Sequence, residues 1–152
     1  MLPRPKSKVD PFKRVVSIFV IVVFFLIASA VYVGVLPTKE PTMPVIHILL
    51  LKFKPTTNPE AVQRLSEQVV ALKDTCVHPE TNKPYIILGK GGINNSPEKH
   101  SAGLTHGYIL EFKDDEDRDY FLDKDPSHKA FVDAISQESD DYLVLDFTPG
   151  VY

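Results

Sequence analysis

Hydrophobic residues along this chain follow two regimes. Residues 15–36 form an uncharged run, VVSIFVIVVFFLIASAVYVGVL, and a helix needs about 20 such residues to cross the hydrocarbon core of a bilayer. Beyond residue 44 the apolar positions become periodic and interleave with charge, as in a folded water-facing domain. Residues 45–53, VIHILLLKF, are nearly all apolar and too short between prolines for a packed helix, which predicts a strand buried on both faces. Asn58, Pro59 and Glu60 then supply a cap, a first-turn proline and an early acid. Val62, Leu65, Val69, Leu72 and Cys76 follow at spacings of three and four, the stripe of an amphipathic helix.

After a loop at 77–83, the β pattern resumes over 84–88 and runs into Gly89, Lys90, Gly91 and Gly92, where the glycines predict a bend or bulge. Residues 105–112 read as a third strand, with His106, Tyr108, Leu110 and Phe112 on one face by the two-residue period. Asp114, Asp115 and Glu116 open a helical stretch through Leu122. Asp125 and Pro126 break it and restart a helix that buries Ala130, Phe131, Ala134 and Ile135. A last strand spans 142–147. The order β-α-β-β-α-β is the split, ferredoxin-like arrangement of an α+β domain. Such a sheet carries its helices on one face, so doubly apolar strands leave a surface that water should not touch. A second copy packed sheet to sheet would cover that surface and enclose an interior, so the pattern predicts a homodimer through the sheet face.

With 152 residues in all, removal of the apolar run and its flanks leaves room for a single core, here residues 44–152. The mean hydropathy of −0.06 averages the two regimes and describes neither. A net charge of −3 with interspersed signs offers no basic stripe, which sets nucleic acid aside. Cys76 is the sole cysteine, so an internal disulfide and a thiolate zinc cluster are both excluded, and a buried core role is the reading. Arg4, Lys6, Lys8, Lys13 and Arg14 precede the apolar run, whereas Lys39 and Glu40 follow it. This bias makes 1–14 a cytoplasmic tail, 15–36 a signal anchor in the lipid bilayer, 37–43 a Pro-rich linker, and the domain lumenal or external. The alternative is secretion after signal cleavage near Ala30, since Ala28, Ser29 and Ala30 match a small-x-small site.

With the elements placed, the chain resembles the stress-responsive dimeric α/β barrel family. The resemblance is carried by VIHILLLKFK at 45–54, GLTHGYILEF at 103–112, DPSHKAF at 125–131 and LDFTP at 145–149. It implies a βαββαβ protomer and a face-to-face homodimer. The family's members include heat-stable stress proteins without an assigned reaction and a plant cyclase that closes a linear polyketide by aldol condensation, so membership does not fix function. The resemblance also implies roles. His128 corresponds to the cyclase's base, His47 and His106 to its polar strand positions, and Asp146 to its carboxylate on the last strand. The segment YFLDK at 120–124 is longer than the cyclase's equivalent, and Tyr120 is the nearest match to its pocket tyrosine.

Position three of a helix lies in the field of the N-terminus, which favours a neutral imidazole at His128. Together with His47, His106 and Asp146 it would support proton transfer beside a carbonyl. The plainer reading makes these histidines satisfied core or interface residues. Lys90, Gly91 and Gly92 lack the spacing and ending of a phosphate loop, no cofactor motif is present, and paired metal-ligand histidines are missing from every element. Asn94, Asn95 and Ser96 form a glycosylation sequon followed by Pro97. Two functions follow: a membrane-anchored binding or protective module, or a cofactor-independent cyclase or isomerase for an apolar carbonyl compound. A solid interior favours the first and a roomy one the second.

Overall fold

The computed structural model describes Phe12, Val15, Val16, residues 19–23 and residues 41–152. Two units divide the chain, Met1–Glu40 and Pro41–Tyr152. In the first, the described residues are helical and exposed. Most of the expected span at 15–36, the basic tail and most of the linker lie outside the described residues. Among the described residues no helix is long and apolar enough to cross a membrane.

The second unit is an α+β domain in the expected order. Strand β1, Val45–Phe53, leads into helix α1, Pro59–Thr75, whose Asn58 cap accepts from the Glu60 N–H. A small hairpin follows, β2 at Val77–His78 and β3 at Lys83–Pro84, where the sequence suggested only a loop. Then come β4, Ile86–Ile93, and β5, His106–Phe112. Helix α2, Asp115–Asp123, is capped by Asp114, and α3, Pro126–Glu138, by Asp125. Strand β6, Ser139–Phe147, closes the chain. The four long strands form one antiparallel sheet in the order β4-β5-β1-β6, the ferredoxin-like topology.

The core lies between this sheet and the helices. Ala61, Leu65, Val69 and Leu72 of α1, Phe121 of α2, and Phe131 and Ile135 of α3 meet Val45, Leu51, Tyr108, Leu110 and Phe112. Each large apolar side chain removed from water there contributes roughly 1.5–3 kcal/mol. Strand β1 fully buries Val45, His47, Leu51 and Phe53, while Ile46, Ile48 and Leu50 are partly exposed in the protomer, where no described element covers the far side of the sheet. Two expectations need correction. Ala130 is exposed and Ala134 half-buried, since α3 turns only Phe131 and Ile135 fully inward. The expected bulge is not at the glycines: β4 pairs through them in regular register, and its register shift falls earlier, between Ile86 and Leu88.

Gly91 is required for a different reason. A Cβ there would lie 2.1 Å from the Tyr108 ring and 2.7 Å from the Gly107 carbonyl. Tyr108 cannot yield easily, because it is buried and its hydroxyl donates to Ser66 Oγ at 2.7 Å. Gly91→Ala should therefore destabilise the domain by about 1–3 kcal/mol. The neighbouring Gly92→Ala, with open space around its methyl, should stay within about 0.5 kcal/mol of the parent. Urea denaturation of the two variants checks the contrast, and equal midpoints would refute it.

Candidate functional site

The antiparallel pairing of β1 and β6 sets His47 opposite Asp146, both on the helix-facing side of the sheet. His47 is buried, and its Nδ1 lies 2.7 Å from Asp146 Oδ1. A carboxylate oxygen only accepts, so Nδ1 carries the hydrogen and the neutral ring keeps its lone pair on Nε2. The other carboxylate oxygen accepts from Arg118 Nη1 at 2.6 Å. Arg118 projects from α2 and also donates to Asp119 Oδ1 at 2.7 Å and Asp115 Oδ1 at 3.0 Å. The bonds to Asp119 and Asp146 raise its already high pKa further. Edge-on contacts with Phe121 and Phe112, at centroid distances of 5.8 and 6.4 Å, fix the His47 ring.

His128 stands at the third position of α3, as the sequence implied. Asp125 Oδ1 accepts from the Ser127 and His128 N–H groups at 2.8 and 3.1 Å, and its Oδ2 from the Tyr85 hydroxyl at 2.7 Å. The His128 ring lies over Phe121 with centroids 3.9 Å apart, and its Nδ1 is buried without a hydrogen-bond partner. Its pKa falls below the ordinary histidine value, chiefly through burial; the Phe121 carbonyl opposes that shift and the nearby His47 reinforces it. The expected field of the helix end is countered by the Asp125 charge, which acts to raise the pKa. His47 and His128 share a cavity of about 20 Å³ with Tyr108, Leu110, Phe121 and Phe131, enough for about one water. The His128 ring is packed against Phe121 rather than standing in open space.

The structure thus brings His47, Asp146 and His128 together and leaves His106 apart. His106 pairs across from Leu51, four residues beyond His47 on β1, about 13 Å along the strand. There it packs edge-on against Phe53 at 4.9 Å and stacks with Tyr108 at 6.4 Å. Burial lowers its pKa. Tyr120 is also outside the His47 cavity, in an aromatic cluster with His78 and Tyr85 at 5.1 and 5.5 Å. Cys76 is fully buried as expected, its thiol pushed up to about 12 first by burial and then by the Asp125 charge. Lys90, Gly91 and Gly92 lie in a strand, and the Asn94 amide braces its own loop, donating to Leu104 O and accepting from Ser96 N. Arg118 was missed, although a lone arginine within the acidic stretch 114–119 is a signal that it pairs with carboxylates.

A ferredoxin-like α+β protomer with an aspartate-oriented histidine between sheet and helices defines the class. The chain belongs to the stress-responsive A/B barrel domain family, whose model matches residues 45–149. No curated protein matches it. Among solved structures, one Arabidopsis thaliana protein is 25% identical with a TM-score of 0.61, covering 71% of this chain and 97% of that one. A hydroxynitrile lyase from Passiflora edulis is 19% identical with a TM-score of 0.61, covering 74% and 99%. A dimeric ferredoxin-like protein of unknown function from Thermobifida fusca is 16% identical with a TM-score of 0.56, covering 70% and 92%.

The lowered pKa of His128 sets a pH dependence. Folding keeps the ring neutral while the unfolded chain takes up a proton below the ordinary value of 6.5, so stability is complete above that pH and declines as pH falls toward the folded value. His106 adds in the same direction. His128→Leu, which replaces an unpartnered nitrogen in an apolar niche, should reduce the loss of stability between pH 7 and pH 5. Urea midpoints at both pH values measure it; an unchanged difference would remove His128 as a source.

Proposed function

We propose that this chain is a membrane-anchored, homodimeric binding or protective module. The observation that carries this reading is the contrast between the two sides of its sheet. The helix side, where a catalytic pocket would be sought, is packed almost solid around His47 and His128. The other side presents Ile46, Ile48 and Leu50 partly exposed and Ile109, Leu143, Leu145 and Phe147 exposed, a continuous apolar surface larger than single scattered residues explain. A second copy covers it most simply, because one patch then meets itself about a twofold axis. The uncharged run at 15–36 and the basic residues before it support an anchor with a cytoplasmic N-terminus and the domain on the opposite side.

One observation favours a second reading, a cofactor-independent cyclase or isomerase acting on an apolar carbonyl compound. His128 Nδ1 is buried without a partner, beside a histidine whose tautomer is set by Asp146, and such groups suit general base chemistry. The Passiflora hydroxynitrile lyase shares the fold. In this reading His128 is the base, His47 and Asp146 orient, and His106 stands outside the reacting group; turnover of any apolar ketone must vanish in His128→Leu.

The full chain in detergent should sediment as a dimer at micromolar concentration, and a stable monomer would remove the sheet-face interface. In sealed membranes the domain should resist protease added from the cytosolic side. Its digestion there would reverse the orientation.

A further inference from the structure

Helix α2 is the most weakly anchored part of the helix layer. Among its residues Asp115–Asp123 only Phe121 is fully buried, whereas α1 buries Ala61, Leu65, Val69 and Leu72. Arg118 is its one cation among Asp115, Glu116, Asp117, Asp119 and Asp123, and its last turn carries no basic residue to meet the negative end of the helix dipole. A helix this short depends on its packing and its ties rather than on its own backbone. The tie to the sheet is the ion pair from Arg118 Nη1 to Asp146 Oδ2 at 2.6 Å, and Tyr120 adds a ring contact with His78 at 5.1 Å. Past α2 the chain leaves helical angles at Lys124, with φ −128° and ψ −29°, one residue before Asp125 fixes the start of α3. A joint therefore lies between the weak helix and the fixed one.

The second observation concerns what Phe121 covers. Its ring lies over His128 at 3.9 Å, beside Phe112 at 5.1 Å and edge-on to His47 at 5.8 Å. The space it fills is a slot for one six-membered ring, with two imidazoles in the wall. A hydrocarbon ring offers no hydrogen bond, and His128 Nδ1 is left buried without a partner. Such a group is costly and uncommon in a native interior, and it calls for a partner. The remaining space of about 20 Å³ takes about one water at most, and Val69, Leu72 and Leu110 make much of its wall apolar.

We propose that α2 is a lid with Phe121 as its plug. It swings out on the joint at Lys124 when the Arg118–Asp146 pair parts, and the emptied slot takes a small uncharged ring bearing a hydroxyl, bonded to His128 Nδ1. A hydroxyl suits either tautomer of His128, since it both donates and accepts, and the apolar walls disfavour charge. This lid deepens the cyclase or isomerase reading and rests on it: the same two histidines become reachable only when α2 is open.

The test combines amide hydrogen exchange with fluorine NMR titration of 4-fluorophenol, on the full chain in detergent and against micelles alone. Amides of α2 should exchange faster than those of α1 and α3. Arg118→Gln, which removes the ion pair but no wall of the slot, should speed α2 about tenfold further, the effect of one charge-assisted bond, and leave α1 and α3 unchanged. It should also tighten 4-fluorophenol binding by the same factor, because affinity scales with the open fraction; Arg118→Lys should stay near the parent in both. Added 4-fluorophenol should speed α2 exchange, since it holds the lid open. His128→Leu should abolish the preference for 4-fluorophenol over fluorobenzene. Exchange of α2 in step with α1 and α3, or an affinity that Arg118→Gln leaves unchanged, overturns the lid. So does 4-fluorophenol that fails to speed α2 exchange. Turnover of an apolar ketone by a protein whose α2 never opens separately would overturn the lid alone. A lid that opens and binds as expected, in a protein that turns over no ketone, would stand while the enzyme reading fell.

Discussion

The buried carboxylate of Asp125 is the point on which the helix layer depends. It has no exposed surface, and it accepts from two backbone N–H groups of α3 and from the Tyr85 hydroxyl next to β4. Cys76, which ends α1, lies close enough for the Asp125 charge to act on its thiol. One side chain thus joins the end of α1, the entry to β4 and the start of α3. Without it, two donors at the helix end and a tyrosine hydroxyl would be buried unpaired, at roughly 1–3 kcal/mol each. Burial and the bond to Asp125 also hold the Tyr85 hydroxyl well above its ordinary pKa, so it remains a donor. The backbone position of His128 is a direct consequence of this cap.

A second tie secures the edge of the sheet. Strand β6 pairs on one side only, and most of its residues are exposed. Its link to the helix layer is Asp146, held by His47 from β1 and Arg118 from α2. Charge-assisted bonds in a partly buried setting contribute about 1.5–3 kcal/mol, enough to hold a strand that contributes little to the core. The same group that orients the histidine therefore also holds the edge strand, and any variant of Asp146 mixes the two effects.

What the sequence made legible follows from locality. Asn58, Asp114 and Asp125 were readable as caps because a cap depends on residues within one turn, and the inward face of β5 was readable because its period is two. The bounds of β1 were readable because prolines flank it. Less was legible wherever a fact depends on register between distant elements. The Asp146–Arg118 bond joins residues 28 apart, and the separation of His106 from His47 depends on how β5 slides along β1. The role of Gly91 is written in the ring of Tyr108 on another strand. Ala130 was assigned to the core by a helical pattern that cannot say how a short helix rolls.

The two histidines near Phe121 divide the properties of a general base between them. His47 is oriented, with its proton fixed toward Asp146, whereas His128 has the unpartnered nitrogen but no carboxylate to set its tautomer. Phe121 touches both rings and closes the space between them. A substrate reaching either nitrogen would have to displace that ring, which is itself buried at 1% exposure, and rigid packing resists such a move. Proton transfer at this place would therefore require α2 to move away from the sheet. Arg118, on the same helix and bonded to Asp146, is the contact that such a movement would break first.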